Sequence, residues 1–405
     1  MSFDALALRR EFPLFAAVPA PFHYLDSAAT SQIHGAALDA LVRHESTRRA
    51  NVARGTYRLA EAATAAYEEA RAAAARFLNA ADAGEIVFTS GATAALNLVA
   101  GAFGATLQAG DEVIVSLAEH HSNLVPWQLL RDRTGVVLRF LPLAADGRIA
   151  TEALPAMLTP RSRLIALTHC SNVTGALTDV PAVVAAARAV GARVLLDGAQ
   201  RVQHGPVDVQ ALGVDFYAFS GHKCYGPGGV GVLWGRGEAL AALPPVVAGG
   251  GMVGEVTPER TDFAPPPQRF EAGTPPIAAA VGLGAALDWM AGLPWPAIHA
   301  HERALLDRLL RGLAGLPGLR LLGPADAAAR HPIVSFDLAG LHPHDVCQVL
   351  DRHGVALRGG NLCAQPLMRH FDVAGANRAS IAPYTTAEDV DALLAGLADA
   401  IRVLT

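Results

Sequence analysis

Short apolar runs rich in β-branched and aromatic residues alternate along the first half of the chain with longer, alanine-rich stretches of helical periodicity. Each run has the length of a buried strand and is bounded by polar residues or glycine. Strands that alternate with helices are typical of a mainly parallel sheet with crossover helices. The pattern therefore predicts an α/β fold, with strands at Glu85–Phe88, Glu112–Val115, Leu164–Leu167, Arg193–Leu196 and Phe216–Phe219.

Polar side chains that are capable of chemistry follow each of these runs. They lie in Thr89–Gly91, Glu119–His121, His169–Asn172, Asp197–Gln200 and Ser220–Lys223. In a parallel sheet, ligands bind where the carboxyl ends of the strands meet. We therefore expect the five segments to converge on one site.

The pattern changes in the second half of the chain. Residues 244–276 are rich in proline and glycine and predict a long excursion from the core, of a kind that is often functional. Residues 278–315 have helical periodicity. Residues 330–405 give a second, shorter alternation that ends in an amphipathic helix, Glu388–Val403.

These changes predict two domains. We expect a large domain over residues 18–290 and a small C-terminal α/β domain over residues 291–405, with residues 1–17 packing on the small domain. The length of 405 residues is sufficient for this division.

Composition and charge narrow the class of protein. Apolar residues make up 52% of the chain and charged residues 17%, as in compact globular proteins. The net charge of −5 is spread without long runs, so no nucleic-acid partner is expected. The uncharged stretch 86–110 is interrupted by glycines, and Arg9-Arg10 is followed by Glu11 and Pro13 instead of an apolar signal segment. We expect a cytoplasmic protein without a membrane partner.

The cysteines and histidines do not predict a metal site. The four cysteines have no regular spacing, which favours neither a disulfide framework nor a zinc site. Metal ligation by Glu119, His120 and His121 is disfavoured, because neighbours on an extended strand face opposite ways.

Lys223 stands apart in the composition. Of the 32 lysine and arginine residues, 31 are arginine and one is Lys223, at the end of the motif Ser220–Lys223. An arginine guanidinium stays protonated, whereas a lysine amine with a lowered pKa condenses with an aldehyde to form a Schiff base. Lys223 is therefore predicted to hold pyridoxal 5′-phosphate (PLP). Chance retention of one surface lysine is the plainer alternative.

Residues after the other strands are suited to the same cofactor. The Asp197 carboxylate can pair with a protonated ring nitrogen, Gln200 can bind the ring oxygen, and the His120 imidazole can stack on the ring. Thr93 and Ser220 can supply hydroxyl groups to a phosphate, with Thr93 at a predicted helix N-terminus. Taken singly, each residue has a structural alternative; Asp197 could be an ordinary N-cap.

Cys363 lies in the loop Leu357–Pro366, which contains two glycines and is an unusual place for a purely apolar cysteine. A free thiol is mostly protonated at neutral pH, so a nucleophilic role requires a positive neighbour such as Arg358. Arg378 could bind a substrate carboxylate through two nitrogens, although an isolated arginine more often makes a surface ion pair.

Ordered motifs along nearly the whole chain resemble those of the class V aminotransferase group of fold-type I PLP enzymes, most closely the SufS-type (group II) cysteine desulfurases. The motifs are Tyr24–Ala29, Asn51–Gly55, Glu119–Asn123, Val125–Trp127, Ser171–Val173, Asp197–Gln200, Ser220–Lys223, Phe270–Pro275, and Cys363 with Pro366–Met368. The resemblance implies a large PLP-binding domain with a mainly parallel central sheet and a smaller C-terminal domain.

The resemblance also implies roles for single residues. Lys223 matches the Schiff-base lysine, and Cys363 matches the nucleophile that forms a persulfide. The remaining cofactor contacts implied by the resemblance are His120, Asp197 and Gln200 on the ring, Ala92, Thr93, Ser220 and His222 on the phosphate, and Thr274 from the other subunit of a homodimer. The implied substrate contacts are Asn172 and Arg378. Arg358, close to Cys363 in sequence, is also expected to bind the substrate.

The implied reaction converts L-cysteine to L-alanine, with transfer of the Cys363 persulfide sulfur to an acceptor protein, as in iron–sulfur cluster assembly. The chain departs from the family pattern at Ala53, Ala94 and Asn361. These departures keep two alternatives open. One is a selenocysteine lyase, or another PLP lyase or epimerase on the same scaffold, and the other is a homologue without catalytic activity.

Overall fold

A computed structural model describes residues 3–405. Its strands are β1 (His23–Tyr24), β2 (Ile86–Thr89), β3 (Glu112–Ser116), β4 (Val137–Leu141), β5 (Ser162–Thr168), β6 (Arg193–Asp197), β7 (Phe216–Ser220), β8 (Gly231–Gly235), β9 (Val253–Val256), β10 (Thr261–Phe263), β11 (Leu319–Leu322), β12 (Ile333–Leu338), β13 (Val355–Ala356), β14 (Arg358–Gly360) and β15 (Ala376–Ser380).

The helices lie before, between and after these strands, singly or in consecutive pairs. They are α1 (Ala5–Arg9), α2 (Leu14–Ala17), α3 (Gly35–Thr47), α4 (Arg58–Leu78), α5 (Ala92–Gly104), α6 (Val125–Thr134), α7 (Leu154–Met157), α8 (Val180–Val190), α9 (Val209–Leu212), α10 (Gly237–Ala241), α11 (Ile277–Ala291), α12 (Trp295–Ala314), α13 (Pro343–Arg352), α14 (Gln365–His370) and α15 (Ala387–Leu404).

A seven-stranded sheet forms the centre of the fold, in the order β2-β8-β7-β6-β5-β3-β4. Its neighbouring strands are parallel except at β8, which runs antiparallel to both β2 and β7. The predicted mainly parallel sheet is confirmed, and all five predicted strands belong to it. The sequence pattern missed β4, an edge strand with exposed positions, and β8, which follows the glycine-rich run Gly226–Gly231.

Alternate side chains of the central strands enter two separate cores, one on each face of the sheet. Ile86 and Phe88 of β2 pack in one core, and Val87 between them packs in the other. In β5, Ile165 packs in the first of these cores and Leu164 packs in the second. Because both faces are covered, consecutive positions in the middle of such a strand are apolar. This explains the continuous apolar runs in the sequence.

A second, four-stranded antiparallel sheet lies in the C-terminal part, in the order β11-β12-β15-β14. Side chains from α12, α13 and α15 share its apolar core. The final helix was predicted over Glu388–Val403 and is observed as α15. It begins with a capping box, in which Thr386 and Asp389 each accept a backbone N–H of the other.

The N-terminal segment contacts both parts of the chain. Phe12 packs edge-on against Trp289 at the end of α11 and against Tyr384 in the loop before α15. Arg9 forms an ion pair of 2.7 Å with Asp389. The division into domains stays a prediction.

The predicted excursion at residues 244–276 contains the β9–β10 hairpin, whose strands pair antiparallel. Its end is fixed to the central sheet through Glu271. The Glu271 carboxylate accepts hydrogen bonds from Arg71 Nη1 at 2.7 Å, from Tyr67 Oη at 3.0 Å and from the Phe88 backbone at 2.7 Å. The excursion is therefore anchored beside β2.

Within residues 3–405, no single helix is long and apolar enough to cross a membrane. Taken together, α11 and α12 have the length and composition of a membrane-spanning segment, but the chain bends by 87° between them.

Candidate active site

The carboxyl ends of β3, β5, β6 and β7 and the N-terminus of α5 surround one cavity of about 240 Å³. Nine residues singled out in the sequence line it: Ala92, Thr93, His120, Asn172, Asp197, Gln200, Ser220, His222 and Lys223. Four lining residues were not singled out: Ala29, Ser122, Thr168 and Ala199. Four of the five predicted segments therefore meet at this cavity, whereas Thr89 and Ser90 of the fifth segment line a separate one. The roles of the single residues stay predictions.

Lys223 ends a single 3₁₀ turn that directly follows β7. Its side chain is partly buried at the cavity wall. Burial lowers the pKa of Lys223, and Arg378 lowers it further, while Asp197 and Cys363 act in the opposite direction. A lowered pKa leaves more of the amine unprotonated, which is the form that condenses with an aldehyde.

Asp197 is the last residue of β6 and is buried. Its carboxylate accepts a hydrogen bond of 3.0 Å from the Ala199 backbone, and burial raises its pKa. A buried carboxylate requires a cation or several donors to stay charged. Asp197 is thus suited to a cationic ligand in the cavity.

Gln200 has one unused polar atom. Its Nε2 donates to the carbonyl oxygen of Ala28 at 2.8 Å, whereas its Oε1 is buried without a hydrogen-bond partner. An unpartnered buried polar atom is unfavourable unless a ligand supplies the missing contact. Gln200 therefore also indicates that the cavity accepts a polar molecule.

His120 lies at the cavity wall with its Nδ1 bound to Ser122. The Ser122 backbone N–H donates to His120 Nδ1 at 3.1 Å, and the Ser122 hydroxyl lies 2.7 Å from the same nitrogen. Burial lowers the pKa of His120 to about 4, and Lys223 contributes in the same direction. The imidazole is therefore neutral at physiological pH, with its proton on Nε2, and suits stacking on a flat ring.

The neighbouring Glu119 faces the interior of the protein, and its surroundings could not be read from the sequence. It is fully buried; Ser116 Oγ lies 2.6 Å from Oε1, and Asn123 Nδ2 donates to Oε2 at 2.6 Å. Asn123 in turn accepts a hydrogen bond from Trp127 Nε1 at 3.2 Å. Burial raises the pKa of Glu119 to about 8. This network supports the turn that carries His120.

The N-terminus of α5 forms another part of the cavity wall. The Ala92 backbone N–H donates to Ser220 Oγ at 2.8 Å, which joins α5 to the end of β7. A Cβ atom on Gly231 would lie only 2.5 Å from the Gly91 Cα, so this approach requires glycine. Helix amides together with the Thr93 and Ser220 hydroxyl groups suit a phosphate.

Cys363 is exposed and free, as the second residue of the two-residue turn before α14. Leu362 and Cys363 both have left-handed backbone angles, with φ of 53° and 54°. Such angles cost roughly 1–3 kcal/mol each in non-glycine residues and persist only when surrounding contacts impose them. Three contacts do so here: Asn361 Oδ1 accepts from the Cys363 N–H at 3.0 Å, Asn172 Nδ2 donates to the Leu362 carbonyl at 2.8 Å, and the His121 N–H donates to the Cys363 carbonyl at 2.8 Å.

The two predicted substrate-binding arginines share one carboxylate that the sequence did not reveal as functional. Arg378 is buried and donates through Nη1 to the Asn172 carbonyl at 3.0 Å and through Nη2 to Asp26 Oδ1 at 3.2 Å. The half-exposed Arg358 lies 2.7 Å from Asp26 Oδ2. Burial lowers the pKa of Arg378, and Asp26 opposes this shift.

Thr274 lies outside the Lys223 cavity. It lines a separate, largely apolar cavity of about 620 Å³, together with Ser90 and the exposed Val246 and Val247. The contact of Thr274 with a partner's cofactor stays a prediction.

These residues fit PLP. The low-pKa amine of Lys223, the buried Asp197 carboxylate and the unpartnered Gln200 Oε1 line the same cavity as the N-terminus of α5. These groups match the aldehyde, pyridinium nitrogen, ring oxygen and phosphate of the cofactor.

Comparison with known proteins points to one family. Residues 23–393 match the family model of aminotransferase class-V. A cysteine desulfurase of Pectobacterium atrosepticum is 46% identical, and the alignment covers 100% of both chains. The crystal structure of the Escherichia coli cysteine desulfurase CsdA has a TM-score of 0.92 and 42% identity, with 100% of both chains covered. A C-DES mutant with glycine covalently linked to its PLP cofactor has a TM-score of 0.81 and 27% identity, over 96% of this chain and 99% of that one.

Proposed function

Because the chain belongs to the aminotransferase class-V family, we propose that it is a PLP-dependent cysteine desulfurase, which converts L-cysteine to L-alanine and retains the sulfur as a persulfide on Cys363. One observation carries the proposal. The cavity residue Asn172 is hydrogen-bonded to the carbonyl of Leu362, so the loop that bears the exposed Cys363 thiol is fixed beside the cavity of Lys223.

The residues that fit the cofactor would hold it. Lys223 would bind the aldehyde carbon, Asp197 the ring nitrogen, Gln200 the ring oxygen and His120 the ring face. The phosphate would be bound by Ala92, Thr93, Ser220 and His222. When bound, the cofactor supplies an electron sink for a carbanion next to the substrate amine.

The chain's own residues position and deprotonate the substrate. Arg378 binds the carboxylate of L-cysteine, and Asn172 lies beside it. Lys223 Nζ, whose pKa is lowered by burial, removes the proton from the substrate Cα.

Cys363 then takes the sulfur. A bond forms between Cys363 Sγ and the substrate sulfur while the carbon–sulfur bond of the substrate breaks, and a proton replaces sulfur on the substrate Cβ. L-Cysteine and the Cys363 thiol thus become L-alanine and a Cys363 persulfide, with no external oxidant or reductant. Since Cys363 is exposed, the persulfide can pass its outer sulfur to an acceptor protein.

We also propose a homodimer in which each subunit completes the other's site. Val246 and Val247 are 48% and 67% exposed beside the apolar cavity that Thr274 lines. A contiguous apolar surface of this kind favours contact with another chain. A two-fold arrangement would bring Thr274 to the phosphate in the partner's cavity.

We propose a cytoplasmic location, which two features of the cysteines support. The four cysteines are free, and Cys363 requires a reduced thiol for the proposed reaction. A reducing compartment, the cytoplasm, suits both features.

Product analysis tests the function. The purified protein with PLP is expected to release alanine from L-cysteine, and the Cys363→Ser variant is expected to bind PLP but release almost none. Equal alanine release by the variant would contradict the role of Cys363. A strong preference for L-selenocysteine over L-cysteine would identify a selenocysteine lyase instead.

A further inference from the structure

Asp26 is the one carboxylate within hydrogen-bonding distance of both predicted substrate-binding arginines in the described part of the chain. Its Oδ1 is 3.2 Å from Arg378 Nη2 and its Oδ2 is 2.7 Å from Arg358 Nη2. The carboxylate side chain is only 12% exposed, and that of Arg378 only 4%. Two guanidinium groups therefore share one buried negative charge.

The position of Asp26 is fixed by its backbone. The preceding residue, Leu25, donates to the Ala356 carbonyl at 3.0 Å and accepts from the Ser380 N–H at 2.8 Å. Asp26 itself forms an isolated parallel bridge with Ser380, two residues after Arg378. The carboxylate thus keeps a constant relation to the strand that carries Arg378.

Arg378 retains binding capacity that its protein contacts do not use. Its Nη1 and Nη2 each have one partner, and its Nε is buried without any. With a single carboxylate for two guanidinium groups, the cluster keeps an excess positive charge. A buried cation with unused donors is suited to a second anion, and guanidinium binds carboxylates in a fixed planar geometry.

We propose that Asp26 is a positioning residue that makes the site selective for amino acids with a free α-carboxylate. It orients the Arg378 guanidinium, which contacts the cavity residue Asn172, and it holds Arg358 at the start of β14, the strand that leads to Cys363. The inference rests on the proposed function, because the carboxylate in question is that of the substrate.

If Asp26 had a purely structural role, its replacement would affect ligand binding in a different way. Loss of a stabilising ion pair would weaken the binding of every ligand, or of none. Loss of an oriented guanidinium weakens only the ligands that carry a carboxylate, because an amine without one makes no contact with Arg378. The pair L-alanine and ethylamine isolates this difference, since ethylamine is the same amine without the carboxylate.

The experiment is an equilibrium titration of the PLP-loaded protein with L-alanine and with ethylamine, followed by the visible absorbance of the cofactor. Asp26→Asn is expected to weaken L-alanine binding by about tenfold, the size of one lost charge-assisted hydrogen bond. Ethylamine binding is expected to stay unchanged. Asp337→Asn is the control, because Asp337 forms an ion pair with Arg320 in the four-stranded sheet that also contains Arg378.

Asp26→Glu keeps the negative charge but moves the carboxylate by one methylene. If the Asn variant does not fold, this variant tests whether Asp26 positions Arg378. The ratio of the ethylamine and L-alanine dissociation constants is expected to fall in both variants and to stay constant in the control. If a folded Asp26 variant has the same ratio of the two dissociation constants as the wild type, the proposal is overturned. Failure of the wild type to bind L-alanine would overturn the proposed function, and this inference with it.

Discussion

The backbone N–H of His121 donates a hydrogen bond to the carbonyl oxygen of Cys363, with 2.8 Å between nitrogen and oxygen. His121 directly follows His120, the residue that lines the cavity as a neutral imidazole. The proposed ring contact and the proposed nucleophile are therefore positioned by adjacent residues of one turn. A displacement of this turn would move both groups together.

Asn361 tests whether the fixed loop matters for sulfur transfer. Its Oδ1 accepts the Cys363 N–H and so supports the left-handed backbone of Cys363. Asn361→Ala removes this acceptor, and we expect kcat for alanine release to fall by about fivefold, since one hydrogen bond contributes about 1 kcal/mol. KM and the cofactor absorbance should not change, because neither depends on the thiol. An unchanged kcat would show that the loop is held without Asn361.

His120 tests the ring contact. His120→Phe keeps an aromatic face but has no ring nitrogen, whereas His120→Ala has neither. We expect the phenylalanine variant to retain PLP through gel filtration and the alanine variant to lose a substantial part of it. Absorbance of the bound cofactor measures the retained fraction. Equal retention by both variants would argue against stacking as the function of His120.

Glu119 gives a pH-dependent prediction. Burial raises its pKa from 4.5 to about 8 in the folded protein, so between these values the folded state holds a proton that the unfolded state has lost. The free energy of unfolding contributed by this group therefore falls as the pH rises through that range. The side chain in Glu119→Gln is neutral at every pH, so this variant does not lose free energy of unfolding through position 119 as the pH rises.

Denaturant unfolding of both proteins measures the effect. We expect the free energy of unfolding of Glu119→Gln, relative to the wild type, to be higher at about pH 9 than at about pH 5. The comparison of two proteins cancels the contributions of the other titrating groups. A difference that is the same at both pH values would mean that Glu119 does not titrate in this range.

Subunit mixing tests the shared site. In a Lys223→Ala homodimer both active sites lack the lysine, and in a Thr274→Ala homodimer both lack the threonine hydroxyl. We therefore expect little alanine release from either homodimer. A mixed dimer contains one site with Lys223 from one subunit and Thr274 from the other. Unfolding and refolding the two variants together should therefore restore part of the activity. If each subunit builds its site alone, mixing would restore nothing.

Much of the central fold could be predicted because its determinants are local. A strand buried on both faces is a continuous apolar run, and the polar residue after it lies at the edge where ligands bind; Asp197 was found in this way. Lys223 was found as the only lysine of the chain, and its place after such a run supported the assignment. The edge strand Val137–Leu141 lacks that signal because part of it faces solvent. Gly231–Gly235 was missed because its glycines are typical of a loop.

The contacts that arrange the site are not local and could not be predicted. Asp26 lies 352 residues from Arg378 in sequence, and only the folded chain brings them together. The contact between Asn172 and the Leu362 carbonyl likewise joins residues that are 190 positions apart. Resemblance to a family identified Arg378 and Asn172, but the partner that holds each one became visible only in the structure.

The sulfur atom on Cys363 is the most direct measure of the proposed reaction. The PLP-loaded protein is incubated with L-cysteine without a reductant or an acceptor, and the peptide that contains Cys363 is then weighed by mass spectrometry while alanine is quantified. We predict one added sulfur atom on Cys363 and an equal amount of alanine, with neither in Lys223→Ala. Alanine formed without sulfur on Cys363, or sulfur on another cysteine, would contradict the proposed mechanism.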